Sequence, residues 1–220
     1  MEPVTAIFFS CRRIEILKRT IAAFEKFNTY PLEDLLIVND SGDENIHREL
    51  DKLYPDYVHV QNLQNYGLMR SIDLGYVHIR TNYFFHCEDD YEVIKSGFIE
   101  KSLEVMKHNP MIEEVWLADY NKYPIEPQLF TTEYGVQFNY LVEGFENWFG
   151  FTTACGLKRI KDYLKVAPYS EIERGETIWH HERNIGLKYH ELGYRGAILT
   201  EEYVRNIGVG QSEYKTGYEN

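Results

Sequence analysis

Hydrophobic and polar positions along the chain switch between two periods. Val4 to Phe9 is a short apolar run, Ile14, Leu17, Ile21, Phe24 and Phe27 recur at helical spacing, and Leu35 to Val38 is apolar again, which predicts strand, helix, strand. Asp43 stands where it can cap a helix with the inner stripe Ile46, Leu50 and Leu53; Pro55 then breaks the chain, and Tyr57 to Val60 alternates as a strand does. Asn65-Tyr66-Gly67 has turn chemistry, and Ile72, Tyr76 and Ile79 make the next helical stripe. Tyr83 to Cys87 is an apolar run that ends abruptly in Glu88-Asp89-Asp90, the pattern of a buried strand delivering three acids at its C-terminal end. Ser96 is placed to start a helix carrying Ile99, Leu103 and Met106, Asn109-Pro110 stops it, and Val115 to Ala118 reads as another strand.

Such alternation predicts an α/β fold with a mainly parallel sheet, helices on both faces and ligands at the carboxyl ends of the strands. After Asp119 the pattern loosens. Val136 to Leu141 reads as a strand, Leu157, Ile160 and Leu164 as a short helix, Ile185, Tyr189 and Leu192 as another helix closed by Gly193, and Ala197 to Thr200 as a strand. One domain over 1–220 is expected, with a first half at 1–119, a less regular half at 120–205 and a mobile polar tail at 206–220.

With 220 residues, of which 44% are hydrophobic, the chain can bury an ordinary core, so disorder is excluded. Its formal charge of −12 argues against nucleic acid and against an anionic membrane surface, both of which select basic faces. No apolar run approaches the roughly 20 residues of a membrane span, and Met1 to Phe9 lacks the pattern of a signal peptide, so a cytoplasmic protein is expected. Cys11, Cys87 and Cys155 are too few and too scattered for a disulfide framework or a structural zinc site and read as small buried hydrophobes.

The acid triplet carries the sharpest chemistry. Three adjacent carboxylates after an apolar strand repel one another and lose hydration, a cost that a hard divalent cation offsets; Mg²⁺ and Mn²⁺ sites use one or two protein carboxylates, with water and phosphate supplying the rest. Asn39-Asp40-Ser41-Gly42-Asp43 follows the second strand and is expected over the same sheet edge, where an Asp can accept from a nucleobase N–H; plain turn and capping chemistry is the alternative. Arg70, near the start of a helix, and Arg12 with Arg13, just after the first strand, are candidate counter-charges for an anionic substrate. Neither a P-loop nor a Gly-x-Gly-x-x-Gly loop is present.

Together Phe9-Ser10-Cys11-Arg12-Arg13, Ile37 to Asp43, Asn65-x-Gly67 and Glu88-Asp89-Asp90 resemble the nucleotide-diphospho-sugar transferases of the GT-A fold, most closely the inverting family 2 glycosyltransferases, with the triplet where that family has its DxD motif. The resemblance implies a Rossmann-like GT-A sheet, a UDP- or GDP-sugar donor and a glycan or other hydroxyl acceptor. Asp40 would contact the base, Asp90 would ligate Mn²⁺ or Mg²⁺, and Ser10, Arg12, Asn65, Gly67, Arg70, Glu88 and Asp89 would line the donor side. In the C-terminal half Trp148 is a candidate sugar platform, with core packing as its alternative. Trp179-His180-His181-Glu182-Arg183 is similar to the motif that carries the general base, matched best by Glu182, with Glu176 and Asp119 as fallbacks. Asn206 stands where related enzymes often place a metal-binding His. A non-catalytic nucleotide-sugar or carbohydrate-binding module would keep Asp40 and the aromatic residues without turnover, and a sugar-1-phosphate nucleotidyltransferase would need a Gly-rich opening loop that is missing here.

Overall fold

Seven consecutive buried residues, Val4 to Ser10, are what a strand covered on both faces requires. The computed structural model describes residues 1–208. Its strands are β1 (Val4–Ser10), β2 (Asp34–Asn39), β3 (Val58–Gln61), β4 (Tyr83–Glu88), β5 (Tyr91–Val93), β6 (Ile112–Trp116), β7 (Phe130–Thr131), β8 (Gln137–Tyr140), β9 (Gly156–Arg159), β10 (Arg195–Leu199) and β11 (Val204–Asn206). The helices are α1 (Ile14–Phe27), α2 (Glu44–Leu53), α3 (Leu68–Tyr76), α4 (Phe98–His108), α5 (Ile160–Val166) and α6 (Ile178–Glu191).

The main sheet among the described residues runs β3-β2-β1-β4-β9-β6-β10-β8-β7. The first four strands pair in parallel, as does β6 with β10, whereas β9 and β8 run against their neighbours. Successive residues of β1 face opposite layers. Phe8 packs with Phe24, Phe85 and Phe98 on the side of α1 and α4, and Ile7 and Phe9 pack with Ile72, Tyr76 and Ile185 on the side of α3 and α6. Each fully buried Phe or Ile stabilises the fold by roughly 1.5–3 kcal/mol.

Three expectations change. Leu157 belongs to β9 and not to a helix, which starts only at Ile160. The strand hides from pattern reading because Lys158 and Arg159 are buried beside Gly156 and Leu157, leaving no apolar period. At Gly156 a Cβ would meet the Val115 carbonyl oxygen at 2.8 Å. Ser96 does not cap α4; Gly97, at φ 87°, precedes it. Asn206 does not open a tail but ends β11, which pairs with β5 and is followed by Ile207 N–H donating to the Asp90 carbonyl at 2.8 Å. The rest of the expected tail, 209–220, lies outside the described residues.

One glycine places an element of the site. A Cβ on Gly75 would meet Val38 Cγ2 at 2.7 Å and Ile7 and Phe9 atoms at 3.0 Å, so the missing side chain lets α3 lie close on β1 and β2. That seats the Asn65-Tyr66-Gly67 turn, which leads into α3, against the loop after β2.

Candidate active site

Parallel register brings β1, β2 and β4 to a common edge, with Ser10 beside Asn39 and Phe9 beside Glu88. The residues that follow each strand therefore meet there, as the sequence suggested. Their carboxylates do different work.

Asp89 turns inward. Arg13 forms an ion pair with it, adding an Nε–H bond at 3.2 Å, and Ser10 Oγ donates to it at 2.8 Å. Burial pushes the Asp89 carboxyl up to about 6, while Arg13 and Ser10 favour its charged form. Asp89 and Ser10 thus serve each other and Arg13, and neither presents a free group to a donor. Arg13, weighed with Arg12 in the sequence, is the residue that organises the triplet, whereas Arg12 is exposed at φ 64° with its guanidinium 3.4 Å from the Ser41 carbonyl.

Asp90 is shared differently. Its Oδ2 pairs with Arg13 at 3.2 Å, while its buried Oδ1 has no hydrogen-bond partner. A Cβ on Gly208 would overlap this carboxylate, so glycine there lets the chain after β11 cross directly over Asp90. Asn206 Oδ1 accepts from Gly208 N–H at 2.9 Å and helps hold that crossing.

Asp40 is 1% exposed, and its carboxylate accepts from Asn62 Nδ2 at 2.8 Å and from the Tyr66 and Gly67 N–H groups at 2.9 Å. The expected base contact is therefore not what this arrangement offers: Asp40 fixes the Asn65-Tyr66-Gly67 turn from below. Asn65 closes the same turn, accepting from Gly67 N–H at 3.0 Å and donating to Cys11 Sγ at 3.3 Å, and Gly67 supplies the positive φ of 82° that starts α3. Arg70 stays exposed, 4.8 Å above the Tyr66 ring.

Glu88 and Glu182 come together from opposite ends of the chain. In the second turn of α6, Glu182 Oε1 accepts from Thr153 N–H at 2.6 Å, Thr153 Oγ1 at 2.7 Å and Thr152 Oγ1 at 3.2 Å. The same Thr153 hydroxyl lies 3.1 Å from Glu88 Oε1. Both glutamates keep part of their surface open. Desolvation raises the Glu182 carboxyl above the ordinary range, opposed by the two threonines and by the Lys158 charge. Glu88 is raised well above it, by desolvation first and then by the charges of Asp90, Glu182 and Asp89.

Beneath the Thr152-Thr153 segment is a buried polar layer that the sequence did not announce. Glu114 Oε1 accepts from Thr152 N–H at 2.8 Å and from Trp116 Nε1 at 2.6 Å, Glu114 pairs with Lys158, and Lys158 Nζ donates to the Thr152 carbonyl at 2.7 Å. A charge inside a strand gives no periodic signal, so only the pairing of β9 with β6 reveals these contacts.

Three other candidates have different surroundings. Trp148 is core: its Nε1 donates to the Phe151 carbonyl at 2.9 Å and its ring packs edge-on against Trp116, centroids 5.4 Å apart. Asp119 caps the short turn Tyr120–Lys122, bonding Asn121 N–H at 3.2 Å, and Glu176 is exposed in the loop before α6. His180 and His181 diverge, His181 bonding the Tyr169 carbonyl at 2.9 Å and His180 pairing with Thr177, and no group of three or more metal-binding side chains converges among the described residues. The three cysteines are buried, as expected.

Residues 5–162 match the model of glycosyl transferase family 2. The chain belongs to that family. Its fold is that of GT-A transferases: it is similar to GalNAc-T7 solved with UDP, GalNAc and Mn²⁺, at 13% identity and a TM-score of 0.64 over 91% of this chain and 43% of that one. It is also similar to the mannosyltransferase PcManGT from Pyrobaculum calidifontis in complex with GDP-Man and Mn²⁺, at 12% identity and a TM-score of 0.62 over 91% and 55% of the two chains. The chain thus spans about half the length of these structures or less. No curated protein matches it. The family 2 match covers Asp40, the acid triplet and Thr153 but stops before α6, so Glu182 is tied to the family region by its hydrogen bonds to Thr152 and Thr153. No described helix is long and apolar enough to cross a membrane.

Proposed function

We propose that this family 2 protein moves a sugar from a UDP- or GDP-sugar to an acceptor hydroxyl with inversion, in one displacement assisted by Glu182 as general base. The observation that carries this reading is the meeting of Glu182 with the Glu88-Asp89-Asp90 edge across the Thr153 hydroxyl. A partly open carboxylate there can take the acceptor proton while the diphosphate leaves on the triplet side.

The donor set fits one divalent cation. Asp90 offers an unpartnered oxygen, whereas both Asp89 oxygens are occupied, so Asp90 would hold Mn²⁺ or Mg²⁺ with diphosphate and water completing the shell. Asn206 is the weaker candidate because its Oδ1 already accepts from Gly208 N–H. When bound, the cation neutralises charge on the leaving diphosphate. The two similar structures, solved with UDP or GDP-Man and Mn²⁺, support the same chemistry. Arg13 fixes the triplet, Asp40 shapes the base pocket through the turn it holds, and exposed Arg70 is free to approach phosphate. Trp179, one helical turn before Glu182 and partly exposed, takes over from Trp148 as the acceptor-side aromatic.

A panel of UDP- and GDP-sugars with Mn²⁺ tests this reading. One nucleotide class is expected to raise the melting temperature by about 5–10 °C at a hundredfold excess over Kd, and to lose its sugar to an acceptor with inverted anomeric configuration. Binding without turnover on any acceptor would leave a binding module, and no binding at all would remove the donor assignment.

The raised Glu182 carboxyl also sets a pH dependence. Only the ionised base accepts a proton, so kcat/KM rises with pH along its acid limb, and because burial lifts this carboxyl the limb lies above the range of an exposed glutamate. A profile flat down to pH 4.5 would contradict the assignment.

A further inference from the structure

The Glu114-Lys158 pair is buried on both sides, with side-chain exposures of 2% and 5%. A buried ion pair is weak as a source of stability, since apolar residues of equal volume often serve as well or better. This pair instead grips a single peptide unit from both directions: Glu114 accepts the Thr152 N–H at 2.8 Å and Lys158 donates to the Thr152 carbonyl at 2.7 Å. The next N–H along the chain, that of Thr153, is the 2.6 Å donor to Glu182 Oε1, and the hydroxyls of Thr152 and Thr153 are the other two donors to that same oxygen. All three donors on Glu182 therefore come from the segment that the pair holds. Lys158 also lies over the Phe151 ring, 4.7 Å from its centroid, which fixes the residue before that segment.

We propose that Lys158 and Glu114 are positioning residues for the general base. They fix the Thr152-Thr153 backbone so that Glu182 is held in its productive rotamer. Glu113, the neighbour of Glu114 on β6, has an unpartnered buried Oε2 and lines the same closed cavity as Lys158, but makes no contact with the threonine segment that would give it this role. The inference rests on Glu182 acting as the base.

The test compares three variants of the full chain with wild type. Glu182→Gln addresses the base reading. Lys158→Met removes the grip on the carbonyl but leaves Glu114 buried without its cation, so the isosteric neutral pair Lys158→Met/Glu114→Gln is measured beside it; the amide oxygen that Glu114→Gln introduces still accepts from Thr152 N–H and Trp116 Nε1. For each, kcat is measured by transfer, and Kd by calorimetry with Mn²⁺ and whichever of UDP or GDP the wild type binds. The folded double variant is expected to lose about 10- to 100-fold in kcat with a nucleotide Kd within twofold of wild type, the signature of a misplaced group that does not contact the donor. Full kcat in the folded double variant, with Glu182→Gln inactive, overturns the positioning role alone. Full kcat in Glu182→Gln removes the base, and this inference with it.

Discussion

Glu182→Gln is expected to lower kcat by about 10²–10⁴-fold, the ordinary contribution of a general base, while the Kd for the donor nucleotide stays within twofold. Gln keeps the shape of the side chain, and its amide oxygen still accepts from the Thr153 N–H and hydroxyl, so the loss isolates the proton-accepting step from the architecture around it. Stability gives an independent check. A carboxyl whose pKa is raised in the fold contributes stability below its unfolded value and loses that contribution as pH rises through its folded value; at pH 7 the buried charge is a net cost. The Gln variant should therefore melt at the wild-type temperature or higher at pH 7, with that advantage shrinking as the pH is lowered. A variant that retains kcat shows that another group accepts the proton, and Asp119 and Glu176 are poor successors, one bound to its own turn and the other exposed before α6.

Asp90→Asn is expected to weaken Mn²⁺-dependent binding of UDP or GDP by about 100-fold or more, since even residues that only support a metal ligand contribute 10–100-fold to affinity. The substitution keeps the volume under Gly208 and leaves the Arg13-Asp89 pair in place, so the fold should survive. Asp89→Asn behaves differently on the same geometry: it disturbs the buried pair with Arg13, where breaking such a contact costs about 3–5 kcal/mol, and its first symptom is a lower melting temperature. Titration calorimetry with and without Mn²⁺ distinguishes the two, and unchanged metal-dependent affinity in the folded Asp90→Asn protein would falsify the ligand assignment.

The Asp89 and Asp90 contrast shows where reading the chain reaches its limit. The order strand, helix, strand, the turn at Asn65-Tyr66-Gly67 and the apolar run ending in three acids were legible, because burial on a pleated or helical surface imposes a period on neighbouring residues. Which of the three acids keeps a free oxygen was not, since that depends on which carboxylate oxygens Arg13 reaches and on Gly208 crossing from the other end of the chain. Trp148 failed as a sugar platform for the same reason: a ring that can stack on sugar can equally pack on Trp116, and no local spacing distinguishes the two.

By itself the sequence determined the α/β alternation and the sheet edge that gathers the acids, which follow from residue type and short-range period, while the resemblance to family 2 added Glu182 as the candidate base. Tertiary structure alone decided that β9 threads antiparallel between β4 and β6, that Asp40 is committed to its turn, and that Thr153 joins Glu88 to Glu182 above the Glu114-Lys158 pair. Those contacts bring together residues tens of positions apart through hydrogen bonds between single atoms, and a bond of that kind is fixed by the packing of whole elements and leaves no period in the chain.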